Sequence, residues 1–261
     1  MKRIILFIIV AFFLFTGMAQ AQSMATMRAN KETVLNTVTF FDDFFSYNRY
    51  PDTTSSGSGL LNIGQYGWEV TVVGTYGITC IDEMNGVVKT TNTTGASDGH
   101  NIQWNAATFD CDTNATTGYR GWTLSTRVKL GEATQGEFTG GLSLTDTDLT
   151  DLSSDGVFFH VPDGQDTIFC INGKNSVWDT TQTNSVFVDS TWIVLSADFN
   201  GRTQIIYRID NVVVATHTSL ASFPNDEALK PSFMFINGEA AAHVFWIDYF
   251  YVSQVGKGRE D

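Results

Sequence analysis

From Thr37 onward the chain alternates apolar and polar residues over short runs, separated by clusters of Gly, Asn, Asp and Thr. In Tyr119 to Leu130, YRGWTLSTRVKL, one parity holds Trp122, Leu124, Thr126, Val128 and Leu130, and the other holds Arg127 and Lys129. Successive side chains of a strand point to opposite faces, so this period of two predicts a half-buried β-strand. The same reading predicts strands in GVFFHV from Gly156, TIFCIN from Thr167, WIVLSADF from Trp192, QIIYRI from Gln204, VVVATHT from Val212, SFMFIN from Ser232 and HVFWIDYFYVS from His243. No segment keeps a helical period for long. Many short strands with little helix must bury one sheet face against another, which predicts an all-β antiparallel sandwich of two sheets.

Two turns predict pairing. Asn200-Gly201 has the preferred composition of a two-residue type I′ hairpin, and Asp210-Asn211 has similar chemistry, so three consecutive strands are expected to form a meander. The stretch FFDDFFSYNRY, residues 40–50, is less regular, with adjacent carboxylates set between pairs of phenylalanines. Buried carboxylates need donors or an opposite charge, and Arg49 is the cation at hand.

Composition adds an address. Residues 1–21 combine Lys2 and Arg3, an apolar run from Ile4 to Phe15 and a small-residue ending, which reads as a secretory signal cleaved between Ala21 and Gln22. Met24 is an alternative start that would dispense with export. Residues 22–36 then form a polar leader, 37–254 one β-sandwich domain and 255–261 a polar tail. The expected location is secreted, periplasmic or at the cell surface, with membrane contact only through the signal. The formal net charge is −13, and loss of the signal, whose only charges are Lys2 and Arg3, makes it −15. Scattered cations on so acidic a chain argue against a nucleic-acid partner, whose affinity depends on neutralising phosphates. Neutral glycans, cations and protein surfaces are the partners such a chain suits.

Cys80, Cys111 and Cys170 include no metal-binding spacing; buried free thiols and a Cys80–Cys111 bridge are the two readings. Asn92 and Asn114 lie in N-x-T sequons. The four histidines are far apart, and no G-x-S-x-G nucleophile turn occurs.

The run STWIVLSADFNGRTQIIYRIDNVVVATH, residues 190–217, resembles the laminin-G-like branch of the concanavalin A-like lectin/glucanase superfamily. A Trp-initiated strand, an Asn/Asp-Gly turn, a Tyr-bearing strand and an Asp-containing turn recur there. FFDDFF at 40–45 and FWIDYFYVSQ at 245–254 are similar to the ends of such jelly rolls, and residues 141–164, GLSLTDTDLTDLSSDGVFFHVPDG, resemble jelly rolls of phage virion proteins. The resemblance implies a concanavalin A-like jelly roll whose first and last strands are neighbours, bringing Asp42 or Asp43 close to Asp248. The E-x-D-x-E strand of the superfamily's retaining glycosidases is absent, and so are the alginate-lyase patterns. Asp110 with Asp112 and Asp146 with Asp148 are the nearest matches, both in loop-like sequence.

Two candidate sites follow. Asp146, Asp148, Asp151 and Asp155 offer hard oxygens of the kind Ca²⁺ takes, and the resemblance implies calcium at the sandwich rim; a solvated acidic loop is the plainer reading. Trp104, Trp178 and Tyr66 sit near polar turns, where an aromatic face can stack on a sugar ring; packing over the sandwich end is the alternative. Trp122, Trp192 and Trp246, inside strands, are expected in the core. The expected function is an exported, non-catalytic module that binds carbohydrate or makes surface contacts, with calcium as the one candidate cofactor. The rivals are a virion or appendage structural protein and a diverged glycan hydrolase or lyase.

Overall fold

The computed structural model describes residues 37–44, 59–61, 67–74, 76–81, 86–113, 120–144 and 152–255. The signal, the leader and positions 256–261 lie outside them. Sixteen strands follow in chain order: β1 (Thr37–Asp42), β2 (Gly59–Leu61), β3 (Trp68–Val73), β4 (Tyr76–Ile81), β5 (Val87–Asn92), β6 (Gly99–Trp104), β7 (Trp122–Leu130), β8 (Gly136–Ser143), β9 (Gly156–Val161), β10 (Thr167–Lys174), β11 (Val177–Val186), β12 (Ile193–Phe199), β13 (Ile205–Ile209), β14 (Val212–His217), β15 (Lys230–Asn237) and β16 (Val244–Val255). One 3₁₀ turn, Leu220–Ser222, is the helical element among the described residues. The first sheet runs β14-β13-β12-β7-β16-β5-β4, with β1 also on β16; the second runs β11-β10-β9-β8-β15-β6-β3-β2. Thr39–Gln254 form one compact unit; of a second, only Thr37, Val38 and Val255 are described.

Alternation decides which residues meet between the sheets. Trp122, Leu124, Thr126, Val128 and Leu130 of β7 are all buried, as their parity predicts. They share the interior with Leu195 and Phe199 of β12, Val157 and Phe159 of β9, and Phe233 and Phe235 of β15. Rings dominate: Phe233 stands edge-on to Phe250 at 5.2 Å, Phe235 stacks on Phe245 at 5.7 Å, and Phe138 meets Phe245 at 5.4 Å. Each fully buried ring contributes about 1.5–3 kcal/mol relative to exposure.

Two polar seams cross this apolar interior, each built on a buried His–Asn pair. Near one end His100 of β6 donates from Nδ1 to Asn92 Oδ1 of β5 at 2.6 Å. The Asn92 amide donates to the Phe235 carbonyl and to Asn237 Oδ1 of β15. The other seam joins His217 Nδ1 of β14 to Asn172 Oδ1 of β10, while Asn172 donates to both oxygens of Ser222. Tyr207 of β13 adds a bond from its hydroxyl to the Ile171 carbonyl at 2.9 Å. Burying these groups is tolerable because each finds partners across the gap. Asn92, marked by the sequence as a glycosylation acceptor, is thus an internal tie 1% exposed.

The structure corrects several expectations. Asp210-Asn211 is the two-residue turn foreseen, both residues at positive φ and Ile209 paired with Val212. Asn200-Gly201 is not: Phe199 pairs with Ile205 across a five-residue loop, and Asn200 Oδ1 accepts from the amides of Arg202, Thr203 and Gln204. Side-chain capping of three amides displaces the tighter turn. Strand β1 does pair with β16, yet Asp42 and Asp248 do not share a setting. Asp42 is fully buried, accepting from Trp68 Nε1 at 3.1 Å and the Phe44 amide at 2.9 Å. Asp248 is the extra residue of a bulge between Ile247 and Tyr249 and meets Arg127 at 2.8 Å on the outer face. Cys111 is a free, fully buried thiol, as is Cys170, so the Cys80–Cys111 bridge is absent. Trp192 and Trp246 are outside the core: Lys129 lies over both indoles, at 4.8 and 4.2 Å, with Arg127 over Trp192 and Lys89 over Trp246. Trp246 lies on the outer face of β16 and Trp192 just before β12, where cationic neighbours cover their rings.

Candidate functional site

The outer face of the second sheet departs from the solvated pattern of a half-buried sheet. Strand β15 contributes Lys230, Ser232, Met234 and Ile236 there, opposite in parity to core Phe233 and Phe235. Registers carry the row outward: Met234 pairs with Asn101 of β6 and Thr139 of β8, and Ser232 pairs with Gln103 and Gly141. Thr139 continues to His160, and Gly141 to Phe158, on β9. All of these except His160 and Gly141 are polar or apolar side chains less than 10% exposed, although they face away from the core.

Two depressions lie along this row. One is shallow, about 290 Å³ counting the open solvent above it, between Asn101, Thr139, Ser143, Phe158, Ser232 and Met234, with Leu152 and Ser153 on its wall. The other, about 630 Å³ on the same basis, is bordered by Val73, Ser97, Glu137, Asp163, Ile236 and Gly238. Met234 and Ile236, alternate residues of β15, form the apolar floor between them. Together they make a groove that follows β15.

Its polar wall is a connected set. Gln103 Nε2 lies 2.8 Å from Ser232 Oγ, 2.9 Å from Ser143 Oγ and 2.8 Å from the Leu144 carbonyl. Ser143 Oγ in turn donates to Ser232 Oγ at 2.8 Å. Networks of this kind fix the rotamers of the groove wall.

Aromatic rings extend the groove beyond β9. A methyl group on Gly173 would fall 2.1 Å from the Trp178 ring, and one on Gly156 would fall 2.1 Å from the Phe158 ring. The missing side chains therefore let both rings lie flat on the sheet. Their centroids are 6.4 Å apart; Phe158 is buried, and Trp178 presents its indole to solvent.

His160 of β9 stands beside Thr139, at the edge of the first depression. Thr139 Oγ1 lies 3.0 Å from its Nδ1, and Glu137 Oε1 lies 4.0 Å from the same atom. A nucleophile–base–carboxylate relay needs the hydroxyl and the acid on opposite ring nitrogens, so this trio has the wrong geometry for acyl transfer. Burial lowers the imidazole pKa to about 4, leaving it neutral at pH 7.

Of the residues singled out from sequence, Trp178 stands on this face, in strand β11 just past the polar Asn175-Ser176 turn. Trp104 ends β6 with Ile102, on the core side, tilted against Phe40 at 4.5 Å. Tyr66, Asp146, Asp148 and Asp151 lie outside the described residues. Asp155 is buried, accepting from the Asn175 amide at 3.0 Å and the Ser154 hydroxyl at 2.8 Å. Both of its oxygens face donors and anchor the Asn175-Ser176 turn, a setting suited to a structural carboxylate rather than a cation ligand. Among the described residues no three His, Cys, Asp or Glu side chains gather as a metal site. Sequence reasoning passed over Asn101, Gln103, Thr139, Ser143 and Ser232. The available signal was their alternation with Ile102, Phe138, Leu142 and Phe233; of these runs only SFMFIN read as a strand, because those of β6 and β8 are rich in Gly, Ser and Asn.

No protein-family model matches the chain, and no curated protein does. Solved structures do. A protein of unknown function from Shewanella oneidensis MR-1 superposes with a TM-score of 0.54 at 16% identity, covering 86% of this chain and 90% of that one. Peanut lectin, solved with a nine-residue peptide, superposes with a TM-score of 0.51 at 13% identity, covering 84% and 97%. The carbohydrate recognition domain of Emp46p, in its potassium-bound form, reaches 0.48 at 13% identity over 71% and 87%. At these identities the first two likenesses speak for the fold alone, and the fold is the lectin-like, concanavalin A-like jelly-roll sandwich.

Proposed function

We propose that the protein is a non-catalytic carbohydrate-binding module whose site is the β15 groove and the adjoining Phe158–Trp178 platform. One observation carries the reading: neutral amides and hydroxyls line an apolar-floored groove that ends on flat aromatic rings. Sugars present that combination in reverse, hydroxyls around the edge and C–H groups on the faces. Peanut lectin shares the fold, which is supporting context only. The reading includes export through residues 1–21, tested by the mass of the mature N-terminus. A calcium requirement would rest on Asp146, Asp148 and Asp151, because Asp155 is committed to its turn.

The test is a glycan array probed with and without calcium, followed by Trp178→Ala. The variant is expected to weaken retention at least about tenfold, about 1.4 kcal/mol, while unfolding reports a loss of about 1–2 kcal/mol for a partly exposed ring. Unchanged retention would remove the platform from the site. Glu137 and Asp163 on the wider depression favour one second reading, glycosidic-bond hydrolysis by two carboxylates. Asp163 is exposed, however, and lacks the apolar walls that keep a carboxyl protonated. Polysaccharide turnover that Glu137→Gln abolishes would establish hydrolysis and overturn the non-catalytic reading.

A further inference from the structure

Three carboxylate or ammonium side chains are buried among the described residues: Asp42, Asp155 and Lys230. Two have their charge met. Asp42 takes the Trp68 indole and the Phe44 amide, and Asp155 takes the Asn175 amide and the Ser154 hydroxyl. Lys230 is the exception. It is 4% exposed, yet among the described residues its ammonium takes part in none of the seven ion pairs and in no side-chain hydrogen bond. Its stem is packed while its Nζ is not among the buried unpartnered atoms, so the ammonium reaches the surface with no ion pair and is open to an anion.

Its place in the fold says which anion. Lys230 opens β15 on the groove face, beside Ser143 in register and two residues from Ser232, whose hydroxyl donates to the Lys230 carbonyl. It therefore stands at the end of the polar wall. Burial lowers its pKa from the usual lysine value, and Glu69, on β3 one strand beyond β6, acts in the opposite sense. At the far end of β15 the groove is bordered by Glu137 and Asp163. A ligand lying along β15 thus meets one cation at one end and carboxylates at the other, on a chain whose formal charge is −13. A polyanion would be repelled along most of its length; a single terminal acid would not.

We propose that Lys230 makes the groove selective for a saccharide carrying one carboxylate-bearing sugar at its end, with neutral units running along β15 toward Ile236. The proposal rests on the carbohydrate reading of the groove. Within it, Lys230 accounts for the ligand class that the neutral amides and hydroxyls leave open.

The experiment compares three probes by titration calorimetry: a neutral oligosaccharide of a type retained on the array, the same oligosaccharide ending in glucuronic acid, and a polyuronate. The acid-ended probe is expected to bind at least tenfold more tightly than the other two, with that advantage shrinking as NaCl is raised. Lys230→Met keeps the stem and removes the charge; it is expected to erase the advantage, leave neutral binding in place and keep or raise the melting temperature. The salt series on the unaltered protein decides the question if Lys230→Met fails to fold. Equal binding of neutral and acid-ended probes, or an advantage that survives Lys230→Met, would overturn the proposal while leaving the groove a glycan site. Absence of any saccharide binding would overturn both.

Discussion

Asp42 shows how a charge can serve a core without doing chemistry. Its carboxylate is fully buried beside Phe40 and Phe44, and the Trp68 indole is its long-range donor. Removing a donor from a buried acceptor costs more than the net worth of the bond, about 1–3 kcal/mol. Trp68→Phe is therefore expected to lower unfolding free energy by at least that much, read by urea titration, with the loss of ring volume adding to it. A change under about 0.5 kcal/mol would mean that Asp42 is held by its other partners alone. Asp155 follows the same logic at the Asn175-Ser176 turn, which is why an acidic residue in an acidic loop turns out to be internal.

At the scale of the element, the informative positions are small residues. Gly173 lies under the Trp178 indole, and the ring occupies the space a methyl group would need. Gly173→Ala should lift that ring off the sheet and weaken glycan retention about as much as Trp178→Ala, with the fold intact by near-ultraviolet circular dichroism. Retention equal to the unaltered protein would show that ring placement is not what the glycine provides. These positions also mark where the sequence stops being readable. Strand β7 was legible because its apolar residues alternate with polar ones, and β9 and β12–β14 because they are short apolar-rich runs bounded by turn residues. Strands β8 and β11, GEFTGGLS and VWDTTQTNSV, were not, since their outward residues are small or polar and their pairing is decided by neighbours distant in sequence. Trp178 was legible as exposed, but the groove beside it was not. Its wall gathers Gln103, Ser143 and Ser232 from three strands, and only the register brings them together.

For the whole molecule, the two sheets are tied by hydrophobic burial and by the paired seams at His100 and His217. Burial lowers the His100 pKa to about 3, and lowers that of His217 despite the opposing charge of Asp179. The unfolded chain has an ordinary histidine value near 6.5, so it binds protons that the folded chain refuses. Stability from each seam is therefore fully present above about pH 6.5 and is lost as pH falls toward the folded value, by up to about 1.4 kcal/mol per pH unit per histidine. Unfolding free energy should drop between pH 6.5 and 4, and His100→Gln, if it keeps the bond to Asn92, should flatten that slope. An unchanged slope in the variant would place the acid sensitivity elsewhere. One further property comes from the pairing of β1 with β16, where the hydroxyls of Thr39 and Ser253 stand 3.2 Å apart. A polypeptide that enters and departs through adjacent strands behaves as a cassette. Spliced into a surface loop of another protein, positions 39–254 would require the host to open by about one inter-strand spacing, 4.8 Å, and the same adjacency makes this fold a natural substrate for circular permutation.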